Sequence, residues 1–159
     1  MNNKKILAII PARLGSKSIK DKNIINYKGK PLIYHSIRAA LKSKLINRVI
    51  VSTDSKKYQK ISEKFGAEVP FLRPKKFCTD NSLDFDFIFH ATKFFIKKKY
   101  YPDLVVLLRP TTPNREISVV DKGIKFFIKN LDSYDSMRSV SEFNQPVQKF
   151  FMIKNNTLK

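Results

Sequence analysis

The feature that most constrains this chain is a short apolar run that leads directly into a basic loop. Residues 6–10 are all apolar, and Pro11 ends the run. An apolar run of this length, closed by a breaker, is typical of a buried strand in a parallel sheet. Because open α/β sheets bind ligands where the carboxyl ends of strands enter loops, the next segment is expected to bind a polyanion. Its cations are Arg13, Lys17, Lys20 and Lys22.

This loop does not carry a standard glycine motif for phosphate binding. The Walker A motif needs a Gly-Lys-Ser/Thr ending, and the dinucleotide fingerprint needs three spaced glycines. Between residues 12 and 23 the sequence has Gly15 alone. Phosphate binding would therefore depend on side-chain charge and on backbone N–H groups around Gly15 and Ser16. A solvated basic loop in a basic protein is the alternative, and composition alone does not decide between the two.

Composition narrows the class of protein. The chain has 159 residues, of which 42% are hydrophobic and 13 are Phe, so one domain spanning residues 1–159 can bury a core. The net charge is +19, yet the lysines are spread over nearly every segment. This spread argues against a nucleic-acid-binding arm, whereas the positive field would still attract a multiply charged substrate. We therefore expect no nucleic-acid partner.

Two further features bear on location. No apolar run approaches the length of a membrane span, and the first residues do not resemble a signal peptide. Cys78 is the one cysteine, which excludes an intrachain disulfide and a cysteine-based metal site. We expect a cytoplasmic protein that does not contact a membrane.

Apolar spacing predicts strands and helices in alternation. Strands are predicted at 6–10, 46–52, 68–72, 104–108 and 135–140, and helices are predicted after Pro31, Asp54, Ser82 and Arg115. Crossovers of this length allow parallel pairing, so the predicted fold class is α/β with a doubly wound, mostly parallel sheet. The strand at 104–108 is the most hydrophobic and is expected at the centre of the sheet.

Local signals give further expectations. Asp54 is expected to cap the following helix, although a carboxylate at a strand end also suits a metal or a ribose. Asn81 or Ser82 is expected to cap the next helix, whose predicted core face is Phe85, Ile88, Phe89, Thr92, Phe95 and Ile96. Residues 149–153 and 157–158 are expected to form a hairpin around Asn155-Asn156. The chain ends directly after that hairpin.

Several separate motifs carry a family resemblance. The pattern Pro11-Ala12-Arg13-x-Gly15-Ser16-Lys17-x-Ile19-x-x-Lys22-Asn23 resembles the opening signature of acylneuraminate (CMP-sialic acid type) cytidylyltransferases. Similar stretches follow in order at 51–54, 65–74, 79–80 and 108–115, so the resemblance runs from about Lys5 to about Lys149. It implies a Rossmann-like fold of the nucleotide-diphospho-sugar transferase type.

The resemblance also implies a reaction. Family members transfer CMP from CTP to the anomeric hydroxyl of a nonulosonic (sialic-type) acid and release pyrophosphate. Arg13 and Lys22 match the triphosphate-binding residues and are the expected catalytic pair, since both can offset charge on the leaving group. The residues that the resemblance places on the nucleotide are Ala12, Arg13, Gly15, Ser16, Lys22, Asn23, Arg73, Asp80 and Ser82.

Two residues are expected on the acceptor sugar. Arg109 stands where many members carry a glutamine that contacts the sugar acid, and an arginine can pair with the sugar carboxylate. The alternative role for Arg109 is to hold the loop at 110–113. Lys149 resembles a sugar-contacting lysine of the family. The resemblance leaves the identity of the acid open between the neuraminic, legionaminic and pseudaminic types.

The metal is the largest departure from the family pattern. A triphosphate substrate implies Mg²⁺, but the family's metal-binding aspartate pair would lie beyond Lys159, so the ligands here are unknown. We expect the chain to lack the family's C-terminal portion, which also carries much of the contact of the expected homodimer. The alternative function is therefore a nucleotide-binding remnant without catalytic activity.

Overall fold

The computed structural model describes residues 4–16, 19–140, 153–154 and 157–158. In chain order its elements are β1 (Ile6–Pro11), β2 (Asn26–Tyr27), β3 (Lys30–Pro31), α1 (Leu32–Lys42), β4 (Arg48–Ser52), α2 (Lys56–Lys64), α3 (Asp84–Lys97), β5 (Leu104–Leu107), α4 (Ile117–Lys129), β6 (Ile153–Lys154) and β7 (Thr157–Leu158). Single 3₁₀ turns occur at Lys22–Ile24 and Lys75–Phe77. Within these ranges no helix has both the length and the apolar character needed to cross a membrane.

A parallel sheet organises the fold. β1 lies between β4 and β5 and pairs with both in parallel. Alternate side chains of β1 point to opposite faces, so Ala8 and Ile10 join one core and Leu7 and Ile9 join another. Helices α1, α2 and α4 contribute to the first core, and α3 contributes to the second. Helices on both faces of a parallel sheet confirm the predicted doubly wound α/β class.

The prediction that 104–108 lies at the centre of the sheet is wrong. Among the described strands β5 has one neighbour, β1, and all four of its residues are only partly buried. The central position belongs to β1, where residues 7–10 are fully buried. Hydrophobicity identifies a strand, but the pairing of distant segments decides which strand has a neighbour on each side.

Two predicted strands differ from the structure. The segment at 68–72 makes only two isolated parallel bridges to the β4 side, Ile50 to Glu68 and Thr53 to Leu72. Pro70 lies between the bridges and has no N–H to donate to a ladder. The prediction of a strand at 135–140 is wrong, because this segment is exposed and belongs to no strand. It runs beside α4, with the Met137 methyl group close to Gly123.

The helix starts show which local signals are reliable. Pro31 immediately precedes α1, and Gly66, with φ +90°, follows the end of α2, as predicted. The cap of α2 is Ser55, whose Oγ accepts from the Tyr58 N–H at 3.3 Å, so the prediction for Asp54 is wrong. At α3 the Asp86 carboxylate accepts from the Leu83 N–H at 2.8 Å, and neither Asn81 nor Ser82 is the cap.

The predicted core face of α3 is partly wrong: Phe95 is buried and Ile88 packs against the second core, but three of the six residues are exposed. Phe85 and Phe89 are 68% and 51% exposed and stack on each other at 5.6 Å. The buried residues are Phe87, Ala91 and Phe95. Helix α3 carries two apolar stripes at helical spacing, and spacing alone cannot tell which of them faces the sheet.

The predicted C-terminal hairpin is present where the structure describes it. Ile153 pairs with Leu158 and Lys154 pairs with Thr157 in an antiparallel arrangement. The predicted start of its first strand, 149–152, and the predicted turn, Asn155-Asn156, lie outside the described residues.

Candidate functional site

A cavity of about 230 Å³ lies at the edge of the sheet where β1 and β5 end. The loop after β1 forms one wall, which we call the first loop (residues 12–16 and 19–24). Residues 73–84 form the facing wall, and residues 109–111 follow β5. The lining residues are Pro11, Arg13, Ser16, Lys22, Asn23, Arg73, Phe77, Thr79, Asp80, Ser82, Asp84, Phe87, Arg109, Pro110 and Thr111.

Charge is the dominant property of this cavity. Four cations line it, Arg13, Lys22, Arg73 and Arg109. Two carboxylates, Asp80 and Asp84, face them. The formal balance is therefore positive, in a chain whose net charge is +19. A concave site of this sign attracts and concentrates anions.

Arg13 reaches across the cavity from the first loop. One of its Nη atoms donates to the Cys78 carbonyl at 2.9 Å, and the other donates to Asp80 Oδ1 at 2.8 Å. Both partners belong to the facing wall, and the Arg13 side chain is one-third exposed. An ion pair with this exposure contributes little net free energy. A phosphate group can therefore compete with Asp80 for the guanidinium.

The first loop is tied together internally. Asn23 Nδ2 donates to the Arg13 carbonyl at 3.1 Å, which joins the two ends of the loop. Asn23 is buried, so this amide acts on the loop backbone. The Ile24 N–H donates to the Asp21 carbonyl at 2.9 Å and closes the 3₁₀ turn that carries Lys22.

Contacts from the α2 side hold the same loop. Asp54 Oδ1 accepts from the Leu14 N–H at 2.7 Å. Asp21 accepts from the Tyr58 hydroxyl at 2.9 Å through one carboxylate oxygen and from Lys57 Nζ at 3.1 Å through the other. The hydrogen bonds from Lys57 and then Tyr58 lower the pKa of the Asp21 carboxyl group. Burial, followed by the bond to Asp21, raises the pKa of Tyr58.

Arg73 is held in a different way. It is 4% exposed, and its guanidinium donates to Ser52 through Nε–Oγ at 3.0 Å and Nη2–O at 2.5 Å. The guanidinium also lies over the Phe87 ring, 4.6 Å from the centroid. Desolvation by burial lowers the pKa of Arg73. Arg73 thus joins the end of β4 to α3 and forms the floor of the cavity.

The loop before α3 is folded on itself. Ser82 Oγ accepts from the Thr79 N–H at 3.1 Å and donates to the Lys76 carbonyl at 3.2 Å. These bonds use Ser82 inside the loop and explain why it does not cap α3. They also fix Asp80, which lies between the two bonded positions.

Arg109 pairs with Asp84 across the cavity mouth. Its own carbonyl accepts from Ser36 Oγ at 3.1 Å and from Arg115 at 3.4 Å. The carbonyl that precedes the 110–113 loop is therefore bound by Ser36 of α1 and by Arg115, while the Arg109 side chain pairs with Asp84. Burial lowers the pKa of Arg115, which fits this internal role.

The structure brings most of the expected site residues into this one cavity. Those that line it are Arg13, Ser16, Lys22, Asn23, Arg73, Asp80, Ser82 and Arg109. Ala12 and Gly15 do not line it. Ala12 is buried and its N–H donates to the Ser52 carbonyl at 2.9 Å, while Gly15 has φ +80° and open space at its Cβ position. Lys149 lies outside the described residues.

Sequence reasoning missed the residues that support the loop from behind. Neither Asp21 nor Tyr58 is a specified residue of a recognised motif. Asp54 was expected to cap the following helix and not to bind the loop. The available signal was weak: an acidic residue directly before Lys22 in an otherwise basic loop. Nothing in that signal identifies a partner more than thirty residues away.

The described residues do not fit a Mg²⁺ site by themselves. Within 4–16 and 19–140 no three side chains of the metal-binding types come together. Asp80 pairs with Arg13, and Asp84 pairs with Arg109. A magnesium site instead needs carboxylates whose oxygens are available to the cation.

Comparison with known proteins adds the sequence family. Residues 7–82 match a family model described as cytidylyltransferase. An N-acylneuraminate cytidylyltransferase of Escherichia coli O18:K1:H7 is 39% identical over 144 residues, which are 91% of this chain and 33% of the relative. A pseudaminic acid cytidylyltransferase of Campylobacter jejuni serotype O:2 is 34% identical over 152 residues, which are 96% of this chain and 65% of the relative. The chain thus spans only part of the length of these relatives.

Solved structures show the same fold. A CMP:2-keto-3-deoxy-manno-octonic acid synthetase complexed with CTP superposes with a TM-score of 0.67 at 23% identity, covering 80% of this chain and 49% of that one. A 4-diphosphocytidyl-2C-methyl-D-erythritol synthase from Anaerococcus prevotii gives 0.58 at 19% identity, covering 81% and 53%.

The fold and the cation-lined edge of the sheet define an α/β protein with the architecture of the nucleotidyltransferases. The sequence matches extend over most of the chain, so the expectation drawn from the loop motif at 11–23 is confirmed. Residues 7–82 match the cytidylyltransferase family model, and over most of its length the chain is similar to N-acylneuraminate and pseudaminic acid cytidylyltransferases.

Proposed function

We propose that this chain binds CTP in the cavity and transfers its CMP group to the anomeric hydroxyl of a nonulosonic acid. The anomeric oxygen forms a bond to the α-phosphorus, the bond from that phosphorus to the pyrophosphate oxygen breaks, and the hydroxyl proton passes to solvent. The observation that carries the proposal is the meeting of Arg13, Lys22, Arg73 and Arg109 in one cavity. The relatives that the chain matches over most of its length are named as cytidylyltransferases of N-acylneuraminate and of pseudaminic acid, which supports the proposal.

Arg13 and Lys22 are the proposed catalytic residues. Transfer of a phosphoryl-type group offers little covalent work to the protein, so catalysis depends on positioning and on neutralising charge. Negative charge develops on pyrophosphate as it leaves. The Arg13 fork suits bidentate contact with phosphate oxygens, and Lys22 supplies a point charge beside it. In this proposal the triphosphate replaces Asp80 as the partner of Arg13.

The remaining nucleotide contacts divide between the two walls. Backbone N–H groups near Gly15 and Ser16 face the phosphates, and Ala12 and Asn23 support that loop from its ends. Arg73, Asp80 and Ser82 form the side proposed for cytosine and ribose. A fixed guanidinium suits a ring carbonyl because its donors do not need to be ordered when the base binds.

Arg109 is proposed to bind the acceptor. Its guanidinium already holds a carboxylate, that of Asp84, at the cavity mouth. The carboxylate of a nonulosonic acid can take the same position on the same donors. Lys149 remains a proposed sugar contact from the family resemblance.

Mg²⁺ enters the proposal as the companion of CTP, with the triphosphate oxygens as ligands. A homodimer is proposed for the longer family members, whose length this chain spans only in part.

The test is an assay of pyrophosphate release by the purified chain. CTP and Mg²⁺ are combined with N-acetylneuraminic, legionaminic or pseudaminic acid, and CTP binding is measured separately by calorimetry, with ATP as the comparison. Release that requires one of the acids supports the proposal, and Arg13→Ala should abolish it. CTP binding without release would instead favour the catalytically inactive remnant. A chain that binds neither CTP nor the acids would overturn the proposal.

A further inference from the structure

We propose that the start of α2 acts as a clamp on the first loop, in which Tyr58 and Asp54 are positioning residues for Lys22 and Arg13. The proposal rests on the function proposed above and explains how the fold holds Arg13 and Lys22 in position. In the motif at 11–23 the position of Asp21 is unspecified, and Tyr58 lies outside the quoted motifs.

The first grip of the clamp is the Tyr58–Asp21 hydrogen bond. Tyr58 is 1% exposed and packs in the core beneath the sheet, so its ring cannot move without disturbing that core. Its hydroxyl donates to Asp21 Oδ1 at 2.9 Å. Lys57, the preceding residue on α2, holds the other oxygen at 3.1 Å. One carboxylate of the loop is therefore tied to two consecutive residues of a helix.

This grip acts on the residue directly before Lys22. Asp21 has a left-handed backbone conformation with φ 52°, which a residue other than glycine adopts at some cost. Its carbonyl accepts from the Ile24 N–H and so closes the turn that carries Lys22. A bond that holds the Asp21 side chain also stabilises this backbone conformation. It therefore helps to fix the direction in which the Lys22 side chain extends from the turn.

The second grip lies at the other end of the loop. Asp54, four residues before Tyr58, accepts from the Leu14 N–H at 2.7 Å. Leu14 directly follows Arg13, whose carbonyl is bound by Asn23. The same helix start thus holds both ends of the loop, beside Arg13 and beside Lys22.

A purely structural role would explain the same contacts differently. Tyr58 would then stabilise the whole fold, and its loss would lower all ligand affinities together or none. A positioning role predicts a selective effect. Binding of the triphosphate tail should weaken, while binding of a nucleotide without the β- and γ-phosphates should not.

The deciding variant is Tyr58→Phe, which keeps the ring and removes the hydroxyl. The matched control is Tyr100→Phe, because the buried Tyr100 hydroxyl has no hydrogen-bond partner within the described residues. Calorimetry with CTP and with CMP gives the affinity ratio. We expect CTP affinity to fall roughly three- to tenfold in Tyr58→Phe, the size of one hydrogen bond, with CMP affinity unchanged. The control should change neither.

A double-mutant cycle with Lys22→Ala shows whether Tyr58 acts through that lysine. In the Lys22→Ala background, Tyr58→Phe should cost no further CTP affinity. Asp21→Asn serves as the conservative variant, since it keeps an acceptor for the hydroxyl and tolerates the left-handed conformation. It should retain more CTP affinity than Asp21→Ala. Additive losses in the cycle, or equal losses for the two Asp21 variants, would overturn the positioning role.

Hydrogen exchange on the unliganded chain tests the clamp without CTP. The Ile24 amide should exchange faster in Tyr58→Phe and at the wild-type rate in Tyr100→Phe. Unchanged exchange at Ile24 would overturn the clamp. Faster exchange with an unchanged CTP-to-CMP ratio would overturn its positioning role. A wild-type chain that does not bind CTP would instead overturn the proposed function, while the exchange rates still decide whether the clamp exists.

Discussion

The two facing walls of the cavity hold their arginines in different ways. Arg73 is buried, donates to a neutral hydroxyl and a backbone carbonyl, and lies against an aromatic ring. Arg13 is partly exposed and donates to the Cys78 carbonyl and to the Asp80 carboxylate of the opposite wall. No ligand can take the place of the Ser52 backbone, whereas a phosphate can replace Asp80. The first arginine is thus part of the fold, and the second is available to an anion.

This contrast gives a rule for the whole site. Groups with buried, uncharged partners should affect stability when they are changed. Groups with exposed, charged partners should affect binding.

Arg73→Ala should have the largest effect, and the effect should be on stability. The change leaves the buried Ser52 hydroxyl without its partner and opens space beside Phe87. We expect the free energy of unfolding to fall by about 3 kcal/mol. Urea unfolding followed by circular dichroism measures this, and Arg38→Ala on α1 is the control for loss of an arginine outside the cavity. If Arg73→Ala lowers the free energy of unfolding by less than Arg38→Ala does, Arg73 belongs with Arg13 among the groups that act on binding.

Arg13→Ala and Lys22→Ala should act on binding. Each removes a charge-assisted contact to the triphosphate, and we expect CTP affinity to fall at least about tenfold. The melting temperature should stay close to the wild-type value, because the Arg13–Asp80 pair is exposed. Calorimetry and thermal unfolding measure the two quantities on the same sample. A marked loss of stability with unaltered CTP affinity would show that these residues are structural.

Asp80→Asn should act in the opposite direction. Without the carboxylate, Arg13 no longer has to exchange an ion pair before it meets a phosphate. We expect CTP affinity to rise a few-fold, in keeping with the small free energy of an exposed pair. The gain should shrink at high salt, which screens the pair in the wild type. A weaker affinity in Asp80→Asn would mean that the contact proposed for Asp80 on the ribose side outweighs the release of Arg13.

The smallest expected effect is a pH dependence at Asp21. Its pKa is lower in the folded chain than in the unfolded chain, so the charged form stabilises the fold. That contribution is complete above the ordinary carboxyl pKa of about 4 and is lost as the pH falls through the lower folded value. The difference in unfolding free energy between wild type and Asp21→Asn should therefore shrink in acid. A constant difference from neutral pH into that acid range would contradict the assignment.

Local signals in the sequence predicted most of the helices and strands and the edge of the sheet that carries the site. The run at 6–10, the proline before α1 and the glycine after α2 are local signals, and each appears in the structure as predicted. The cations at 13 and 22 were expected at that edge because the carboxyl ends of parallel strands enter loops there, whereas Arg73 and Arg109 were expected from the family resemblance. The expectation for the loop needs only the fold class.

Only the tertiary structure decided the partners. Among the described strands it placed β1 and not β5 at the centre, and it selected Phe87 over Phe85 for the buried face of α3. It also joined Arg13 to Asp80 and Tyr58 to Asp21. Periodicity records which residues share a face of one element, whereas these contacts depend on how separate elements meet. The chemistry of the first loop is visible in its own residues, but the groups that hold it in place lie elsewhere in the chain.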